Sequence, residues 1–287
     1  MKVRKAVIVA AGLGTRMLPA TKTIPKEMLP LLEKPIIQYI VEEMADSGIE
    51  DILIVTNRQK SAMDDYFDYF PELEDRLIKT GKDKYADEIR KVADIANVFY
   101  VRQKETKGTG HAVWRAKRFM GDEPFAVSFG DDVMYARTPV IKQLIDAAEE
   151  FGRSAIGCQL VSDEVIGLYS SLKVEPLRDR IYNVSDLIEK PAPHQKFSNY
   201  AILGRYVLTS GIFDVLENLP AGYGGEIWLT DGIKALLERE PVCAVDFEAT
   251  RYDTGNQRGY LQATVEFALR DPEHGEWFRN YLNDLLR

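Results

Sequence analysis

The apolar run KAVIVA at residues 5–10 is followed at once by the glycine-rich loop AGLGTR, and this junction constrains the fold more than any other feature. A short run that is apolar throughout and rich in β-branched residues is typical of a buried strand in a parallel sheet. A predicted helix at 34–48, which ends at Gly48, and a second apolar run at 51–56 come next. This strand–helix–strand order predicts an α/β fold.

The rest of the chain continues the alternation of strands and helices. Further strands are predicted at 96–103, 124–132 and 154–161, and further helices at 110–120, 138–152, 209–219, 227–240, 260–271 and 275–287. The segments 167–177, 180–191 and 199–208 look like a meander of strands with turns between them, and 242–255 like a strand followed by a loop. We therefore expect a Rossmann-like, mostly parallel central sheet flanked by helices, with a small antiparallel elaboration and C-terminal helices.

Residues 1–287 are expected to form one domain rather than two, with the acidic, aromatic stretch 62–95 as a mobile insertion. The formal net charge of −8 argues against a nucleic-acid or anionic-membrane partner, which needs a basic surface. Cys158 and Cys243 show no metal-ligand spacing, and a disulfide between them stays open. With no visible secretory signal and no apolar span long enough for a bilayer, we expect a soluble, cytoplasmic protein.

The loop after the first strand has the composition of a phosphate site. Gly12 and Gly14 allow main-chain amides to approach an anion closely, and near a helix start such amides form an anion nest. Arg16 adds a planar fork for phosphate oxygens and Lys26 a compact positive charge. The loop lacks the Gly-Lys-Ser/Thr ending of a P-loop, and Met17 stands where a dinucleotide-binding loop needs a third small residue. The pattern predicts a loop that holds a polyphosphate.

Acidic residues follow two of the predicted strands. Asp131 and Asp132 end the strand at 124–132, and Asp253 lies at another strand-to-loop junction. Ligands of open α/β sheets bind at such strand ends, and Mg²⁺ takes one or two carboxylates together with phosphate oxygens and water. An isolated Asp-Asp pair more often makes a turn or a helix cap, so the residues alone leave both interpretations open.

The motif AAGLGTRMLPATKTIPKEMLP at 10–30 resembles the sugar-1-phosphate nucleotidylyltransferases. The resemblance continues in order over nearly the whole chain, through VRQK, GHAVWRAK, GDD, IEKP, LGRYVLT, GGEIWLTD and RYDTGNQRGYLQATVEFAL. Within the family the chain is most similar to the bacterial branch that acts on UTP and glucose 1-phosphate, and Glu27 in PKEMLP favours that branch.

The resemblance implies a role for individual residues. It implies Asp131 and Asp253 as Mg²⁺ ligands, and Arg16, Lys26 and Lys190 as the catalytic cations. It implies nucleotide contacts from Ala10, Ala11, Gly12, Gly14, Thr15, Glu27, Gln103, Gly108 and Asp132, with Gln103 and Gly108 at the base. It implies sugar contacts from Tyr169, Ser170, Glu189 and Gly204. The nucleotide part would span about 1–135, the sugar-phosphate part about 136–260, and C-terminal helices 261–287.

The implied reaction is Mg²⁺-dependent in-line attack of the sugar phosphate on the α-phosphorus of UTP, which yields UDP-glucose and pyrophosphate. The family also implies a homodimer or homotetramer. The same chemistry with dTTP or another hexose 1-phosphate, or a regulator that binds a nucleotide sugar without turnover, are the alternatives. Three departures stand out: TKGTGHA at 106–112, Ser170 where the family commonly has glycine, and Gln257 where lysine is usual.

Overall fold

The computed structural model describes residues 1–287, apart from the side chain of Tyr223. In the first half the elements are β1 (Lys5–Val9), β2 (Pro30–Leu31), β3 (Lys34–Pro35), α1 (Ile36–Asp46), β4 (Asp51–Thr56), α2 (Ser61–Tyr66), α3 (Pro71–Lys79), α4 (Asp83–Ala93), β5 (Asn97–Arg102), α5 (Thr109–Trp114), α6 (Lys117–Met120), β6 (Phe125–Phe129), β7 (Asp132–Tyr135) and α7 (Val140–Phe151). In the second half they are β8 (Ser154–Leu160), β9 (Ser170–Arg178), β10 (Ile181–Glu189), β11 (Tyr200–Leu208), α8 (Gly211–Asn218), α9 (Leu229–Leu236), β12 (Val242–Asp246), β13 (Thr250–Asp253), α10 (Gln257–Arg270) and α11 (Gly275–Leu285).

A nine-stranded sheet runs through the molecule in the order β5-β4-β1-β6-β11-β8-β12-β10-β9. The pairs from β5 to β6 and the pair β12–β8 are parallel. The pairs that involve β11, and β10 with both of its neighbours, are antiparallel. The predicted α/β fold with a central sheet and flanking helices is confirmed, but the sheet is mixed rather than mostly parallel. The predicted meander β9–β11 joins the central sheet because β11 inserts between β6 and β8.

Helices cover both faces of the sheet, which explains the unbroken apolar run of β1. Ala6 and Ile8 belong to a buried cluster with residues of α1 and α7. Val7 belongs to a second cluster with residues of α5, α8 and α9. Because successive strand residues point to opposite faces, a strand covered on both sides must be apolar at every position.

The chain turns sharply after β6, and this turn places the first acidic motif. The predicted strand 124–132 ends at Phe129, and Asp131 lies in the turn before β7. A Cβ on Gly130 would lie 3.0 Å from the Ala10 Cβ, so glycine lets the turn pass close to the loop after β1. β7 then pairs antiparallel with β13 in a small second sheet, with Asp253 opposite Asp132.

Two further predictions changed in detail. The stretch 62–95 folds mainly as helices α2–α4, and Glu74 of α3 accepts from Arg90 of α4 at 2.6 Å. Its mobility stays a prediction. The predicted helix 110–120 is split into α5 and α6, because Ala116 bonds the carbonyl of Val113, three residues earlier, in a tighter turn.

Candidate functional site

A cleft of about 990 Å³ opens beside the turn after β6, between the central sheet and the start of α9. Strand ends and loops that are distant in sequence meet there. Its lining includes predicted site residues from every part of the chain: Arg16, Asp131, Asp132, Tyr169, Ser170, Glu189, Lys190, Gly204 and Asp253. The same cleft therefore receives the predicted metal ligands and the predicted sugar contacts.

The glycine loop forms one edge of this region. Gly14 has a φ of 68°, in the left-handed region that favours glycine, and its carbonyl accepts a 2.7 Å hydrogen bond from the Thr21 hydroxyl. Three short 3₁₀ turns, Thr15–Met17, Ala20–Lys22 and Lys26–Met28, follow it, and the first α-helix begins only at Ile36. The loop is thus not capped by an α-helix start, unlike the predicted anion nest. Prolines at 19 and 25 disfavour a continuous α-helix across this loop.

Two cations of the loop at 10–30 meet two carboxylates from two other segments of the chain. The Lys26 ammonium donates to Asp131 Oδ2, and Arg16 Nη2 lies 4.0 Å from the same oxygen. Arg16 Nη1 also lies 3.7 Å from Asp253 Oδ2, so one guanidinium reaches both acids. A Cβ on Gly12 would lie 3.7 Å from Lys26 Nζ, which places the loop backbone beside this ammonium.

Both members of the central ion pair are charged at neutral pH. Burial alone would lower the pKa of Lys26, but the carboxylates of Asp131 and Glu27 outweigh it and raise that pKa. Burial would likewise raise the pKa of Asp131, but Lys26 and Arg16 hold it below its usual range. The site therefore presents an ammonium and a carboxylate that remain ionised.

Glu27 lies beneath the loop rather than along the cleft. Its side chain is fully buried, and both carboxylate oxygens accept hydrogen bonds of 2.7 Å from the ammonium of Lys60. Burial raises the pKa of Glu27 and lowers that of Lys60, and their mutual attraction offsets part of each shift. Lys60 also donates to the carbonyl of Ala10 at 2.6 Å, and Asn57 to the carbonyl of Ala11 at 2.8 Å. The segment after β4 therefore holds the start of the loop.

The residues predicted to contact the nucleotide base lie close together. The Gln103 side chain is buried, and its Nε2 donates to the carbonyl of Gly108 at 3.1 Å. The same nitrogen lies 2.9 Å from His111 Nδ1. Burial lowers the pKa of His111, and the charges of Lys107 and Arg115 lower it further, so the ring is neutral at pH 7 and can accept from Gln103. The amide of Gln103 is thus held in one orientation, with its nitrogen on these two acceptors.

On the opposite side of the cleft, Glu189 and Lys190 are held by mostly neutral groups. Glu189 Oε2 accepts hydrogen bonds from the hydroxyls of Ser170 and, at 2.8 Å, Thr230. The Lys190 ammonium lies 4.0 Å from Glu189 Oε1 and 4.2 Å from the ring centre of Trp228. Ser170, a departure from the family pattern, therefore bonds to the neighbouring predicted sugar residue.

Asp132 anchors the wall between the two sides. It is buried, it accepts from Arg251 Nε at 2.7 Å, and Arg251 also donates to the Tyr169 hydroxyl at 2.9 Å. Burial raises the pKa of Asp132, although Arg251 and Arg205 offset part of that effect. Gly204 has a φ of 60°, and a Cβ there would collide with Asp132 Oδ2. Glycine is required at this position because the strand passes directly over the carboxylate.

Sequence reasoning assigned no functional role to several residues of this region: Lys60, His111, Trp228, Thr230 and Arg251. All of them except Lys60 lie inside motifs of the family resemblance, which could have pointed to them. Lys60 lies outside those motifs, and a single lysine after a strand has no local pattern that distinguishes it from a surface residue.

Two kinds of feature, a cluster of metal-binding side chains and a membrane-spanning helix, are absent from the described part of the chain. Among its side chains, no three His, Cys, Asp or Glu residues cluster so as to hold a metal by themselves. None of its helices combines the length and apolar character that crossing a bilayer requires. The predicted metal ligands are therefore a pair of acids, Asp131 and Asp253, whose remaining ligands would have to come from substrate and water.

The chain is similar to known proteins over its whole length. Residues 5–269 match the family described as nucleotidyl transferase. A UTP–glucose-1-phosphate uridylyltransferase of Bacillus subtilis (strain 168) is 50% identical over 285 residues, which cover 99% of this chain and 98% of that protein.

Solved structures agree with this match. A UDP-glucose pyrophosphorylase complexed with UDP-glucose is 37% identical, with a TM-score of 0.85 over 94% of this chain and 100% of that one. A UTP-bound UGPase from Acinetobacter baumannii is 34% identical, with a TM-score of 0.92 over 99% of this chain and 100% of that one. The chain is thus a member of the nucleotidyl transferase family, as the loop at 10–30 had indicated.

Proposed function

We propose that this protein makes UDP-glucose and pyrophosphate from UTP and glucose 1-phosphate. One observation supports this above all: cations and carboxylates from distant segments line one cleft, in a chain half identical to a uridylyltransferase over 99% of its length. An oxygen of the sugar phosphate attacks the α-phosphorus of UTP, the bond to the β-phosphate breaks, and pyrophosphate leaves on the opposite side. The attacking phosphate is already ionised, so alignment and charge neutralisation supply the catalysis.

Different cations bind the two anionic substrates. Lys26, next to the glycine loop, binds the nucleotide phosphates, and Arg16 stabilises the leaving pyrophosphate. Lys190, on the far side of the cleft, binds the phosphate of the sugar. These charges offset the repulsion that otherwise keeps two polyanions apart.

Asp131 and Asp253 suit Mg²⁺ as a cofactor. Both carboxylates lie within 4.0 Å of the Arg16 guanidinium, so they already share a cation between them. Hard carboxylate oxygens completed by phosphate oxygens and water are the usual Mg²⁺ environment. When bound, the ion supplies charge neutralisation at the phosphates. Lys26, bonded to Asp131, keeps that carboxylate ionised and directed toward the phosphates.

Other predicted residues position the nucleotide. Ala10, Ala11, Gly12, Gly14 and Thr15 provide main-chain contacts to the phosphates, and Gln103 and Gly108 read the base. With Gln103 Nε2 directed at Gly108 and His111, its Oε1 remains as the acceptor for the uracil N–H. Glu27 supports the loop through Lys60, and Asp132 supports the ribose side through Arg251.

The sugar side uses Glu189 with Tyr169, Ser170 and Gly204. Glu189 accepts from sugar hydroxyls, and the main chain at Gly204 approaches the sugar. We also propose that the protein acts in the cytoplasm as a homodimer or homotetramer, and as one domain. Its parts are the nucleotide side at about 1–135, the sugar-phosphate side at about 136–260 and the C-terminal helices 261–287.

Pyrophosphate release with a panel of substrates tests the function. The protein should turn over UTP with glucose 1-phosphate in the presence of Mg²⁺, and poorly with dTTP or galactose 1-phosphate. Higher kcat/KM for one of those substrates would assign the same chemistry to a different pair. No turnover of any pair, with UDP-glucose still bound, would point to a non-catalytic regulator instead.

A further inference from the structure

The segment 226–230, which leads into α9, touches both sides of the cleft. The amide of Ile227 donates to the carbonyl of Lys107 at 2.8 Å, and its carbonyl accepts from the amide of Gly110 at 2.8 Å. These backbone bonds fasten the segment to the loop before α5 and to the first turn of α5, so the side chains that follow Ile227 start from a defined position.

Trp228, the first of these side chains, lies against the Lys190 ammonium. The Nζ atom is 4.2 Å from the centre of the indole ring, and both residues line the cleft. Lys190 has a φ of 44°, a left-handed conformation that non-glycine residues seldom adopt unless their surroundings hold them there. Its amide donates to the carbonyl of Tyr169 at 3.0 Å, which fixes the backbone.

Thr230, two residues after Trp228, contacts Glu189, which is predicted to bind the sugar. Its hydroxyl donates to Glu189 Oε2 at 2.8 Å, and the Ser170 hydroxyl donates to the same oxygen. Thr230 itself is buried, and the amide of Leu229 before it donates to the Thr109 hydroxyl at 3.1 Å. The carboxylate is therefore held through one oxygen, which directs Oε1 toward Lys190 at 4.0 Å.

We propose that Trp228 and Thr230 are positioning residues that prepare Lys190 and Glu189 for a hexose 1-phosphate. An aromatic face attracts an ammonium, so the indole ring of Trp228 helps to hold the Lys190 side chain where it lines the cleft. Hydroxyl donors on Oε2 leave Glu189 Oε1 to accept from the sugar. This inference rests on the proposed function, and it adds two residues whose effect is confined to one of the two substrates.

Steady-state kinetics of four variants test it. Trp228→Leu should raise KM for glucose 1-phosphate about tenfold and Trp228→Phe clearly less, because the phenyl ring keeps an aromatic face. Thr230→Val should raise the same KM about tenfold, and Thr230→Ser should restore it, because serine keeps the hydroxyl. KM for UTP should not change in any of them. Glu238→Gln, an exposed change just after α9, is the matched control.

Equal increases in both KM values would overturn the proposal, as would an unchanged KM for glucose 1-phosphate in Trp228→Leu and Thr230→Val. If Trp228→Leu does not fold, the Thr230→Val and Thr230→Ser pair decides alone. Calorimetry with UDP-glucose and with UTP repeats the comparison without turnover: only UDP-glucose binding should weaken. Wild-type protein that binds UDP-glucose but releases no pyrophosphate would refute the proposed function and leave this comparison intact.

Discussion

The two sides of the cleft hold their charged residues in different ways. On the nucleotide side two lysines are bonded to carboxylates: Lys26 to Asp131, and Lys60 to Glu27. On the sugar side Lys190 rests on an indole ring, and Glu189 accepts from two hydroxyls. The Glu27–Lys60 pair is buried and the Lys26–Asp131 pair is partly buried, so in each pair loss of one partner would leave a costly unpaired charge. On the sugar side an indole ring and two hydroxyls contact the charged residues instead.

The largest effect should follow from breaking the ion pair at the centre of the nucleotide side. Asp131→Asn removes a proposed Mg²⁺ ligand and leaves Lys26 without its carboxylate. We expect kcat to fall by at least about a hundredfold, as when a preorganised electrostatic group is removed. Pyrophosphate release measured over a range of Mg²⁺ concentrations checks this, with the exposed Asp122→Asn as control. Near-normal turnover of Asp131→Asn would remove this residue from the site.

The corresponding change on the sugar side should affect one substrate only. Lys190→Ala removes a charge-assisted contact, so KM for glucose 1-phosphate should rise about ten- to a hundredfold. KM for UTP should stay close to the wild-type value, because Lys190 lies across the cleft from the glycine loop. Initial-rate kinetics with each substrate varied in turn measure both, and the exposed Lys173→Ala serves as control. Equal losses for UTP and glucose 1-phosphate would contradict the division of the cleft into two sides.

The support beneath the loop should show its effect mainly in stability. Lys60→Met leaves the buried Glu27 carboxylate without a partner and should lower the free energy of unfolding by about 3–5 kcal/mol. The double variant Glu27→Gln/Lys60→Met should recover much of that loss, because no buried charge is left unpaired. Urea denaturation of the wild type, both single variants and the double variant measures the coupling. Additive losses in the double variant would show that the two residues do not act as a pair.

The smallest effect should come from protonation of His111, which contacts Gln103, the residue proposed to read the base. Because burial lowers the pKa of His111 in the folded protein, its neutral form is favoured, and the stability that it contributes is lost as pH falls below the ordinary value of about 6.5. A protonated ring can no longer accept from Gln103, so KM for UTP should rise about two- to tenfold at acid pH.

His111→Gln, whose amide oxygen can still accept from Gln103, separates this effect from titration of the substrates. Its KM for UTP should depend less on pH between about 5 and 7 than that of the wild type. The KM for glucose 1-phosphate should follow the same pH profile in both proteins. Identical UTP profiles for wild type and variant would exclude His111 as the source of the pH dependence.

Most of the elements could be predicted from local pattern. The strand at 51–56 has the bounds of β4, and the strand at 5–10 differs from β1 by a single residue, because unbroken apolar runs identify doubly covered strands. The order of the sheet could not be predicted. The pairing of β11 with β6 and β8 joins segments that are distant in sequence, and periodicity describes a strand without naming its neighbours.

The candidate site, like the fold, could be predicted only in part. Glycine and cation content identified the loop at 10–30, and the family resemblance named residues that the structure does bring to one cleft, such as Asp131 and Lys190. Neither indicated that Glu27 would be buried against Lys60, or that Trp228 would lie beneath Lys190.

By itself, the sequence determined the chemistry that this protein has available: a glycine loop with cations, acids after strands, and a family whose members transfer nucleotides. Only the tertiary structure decided which groups each of these charges contacts. Asp253 comes to Asp131 because β13 pairs with β7, and Lys190 meets an aromatic ring because segment 226–230 is fastened to the loop before α5. A local sequence pattern reflects the secondary structure and burial that each residue favours. Which residues contact one another depends on long-range packing, which brings separate segments within a few ångströms.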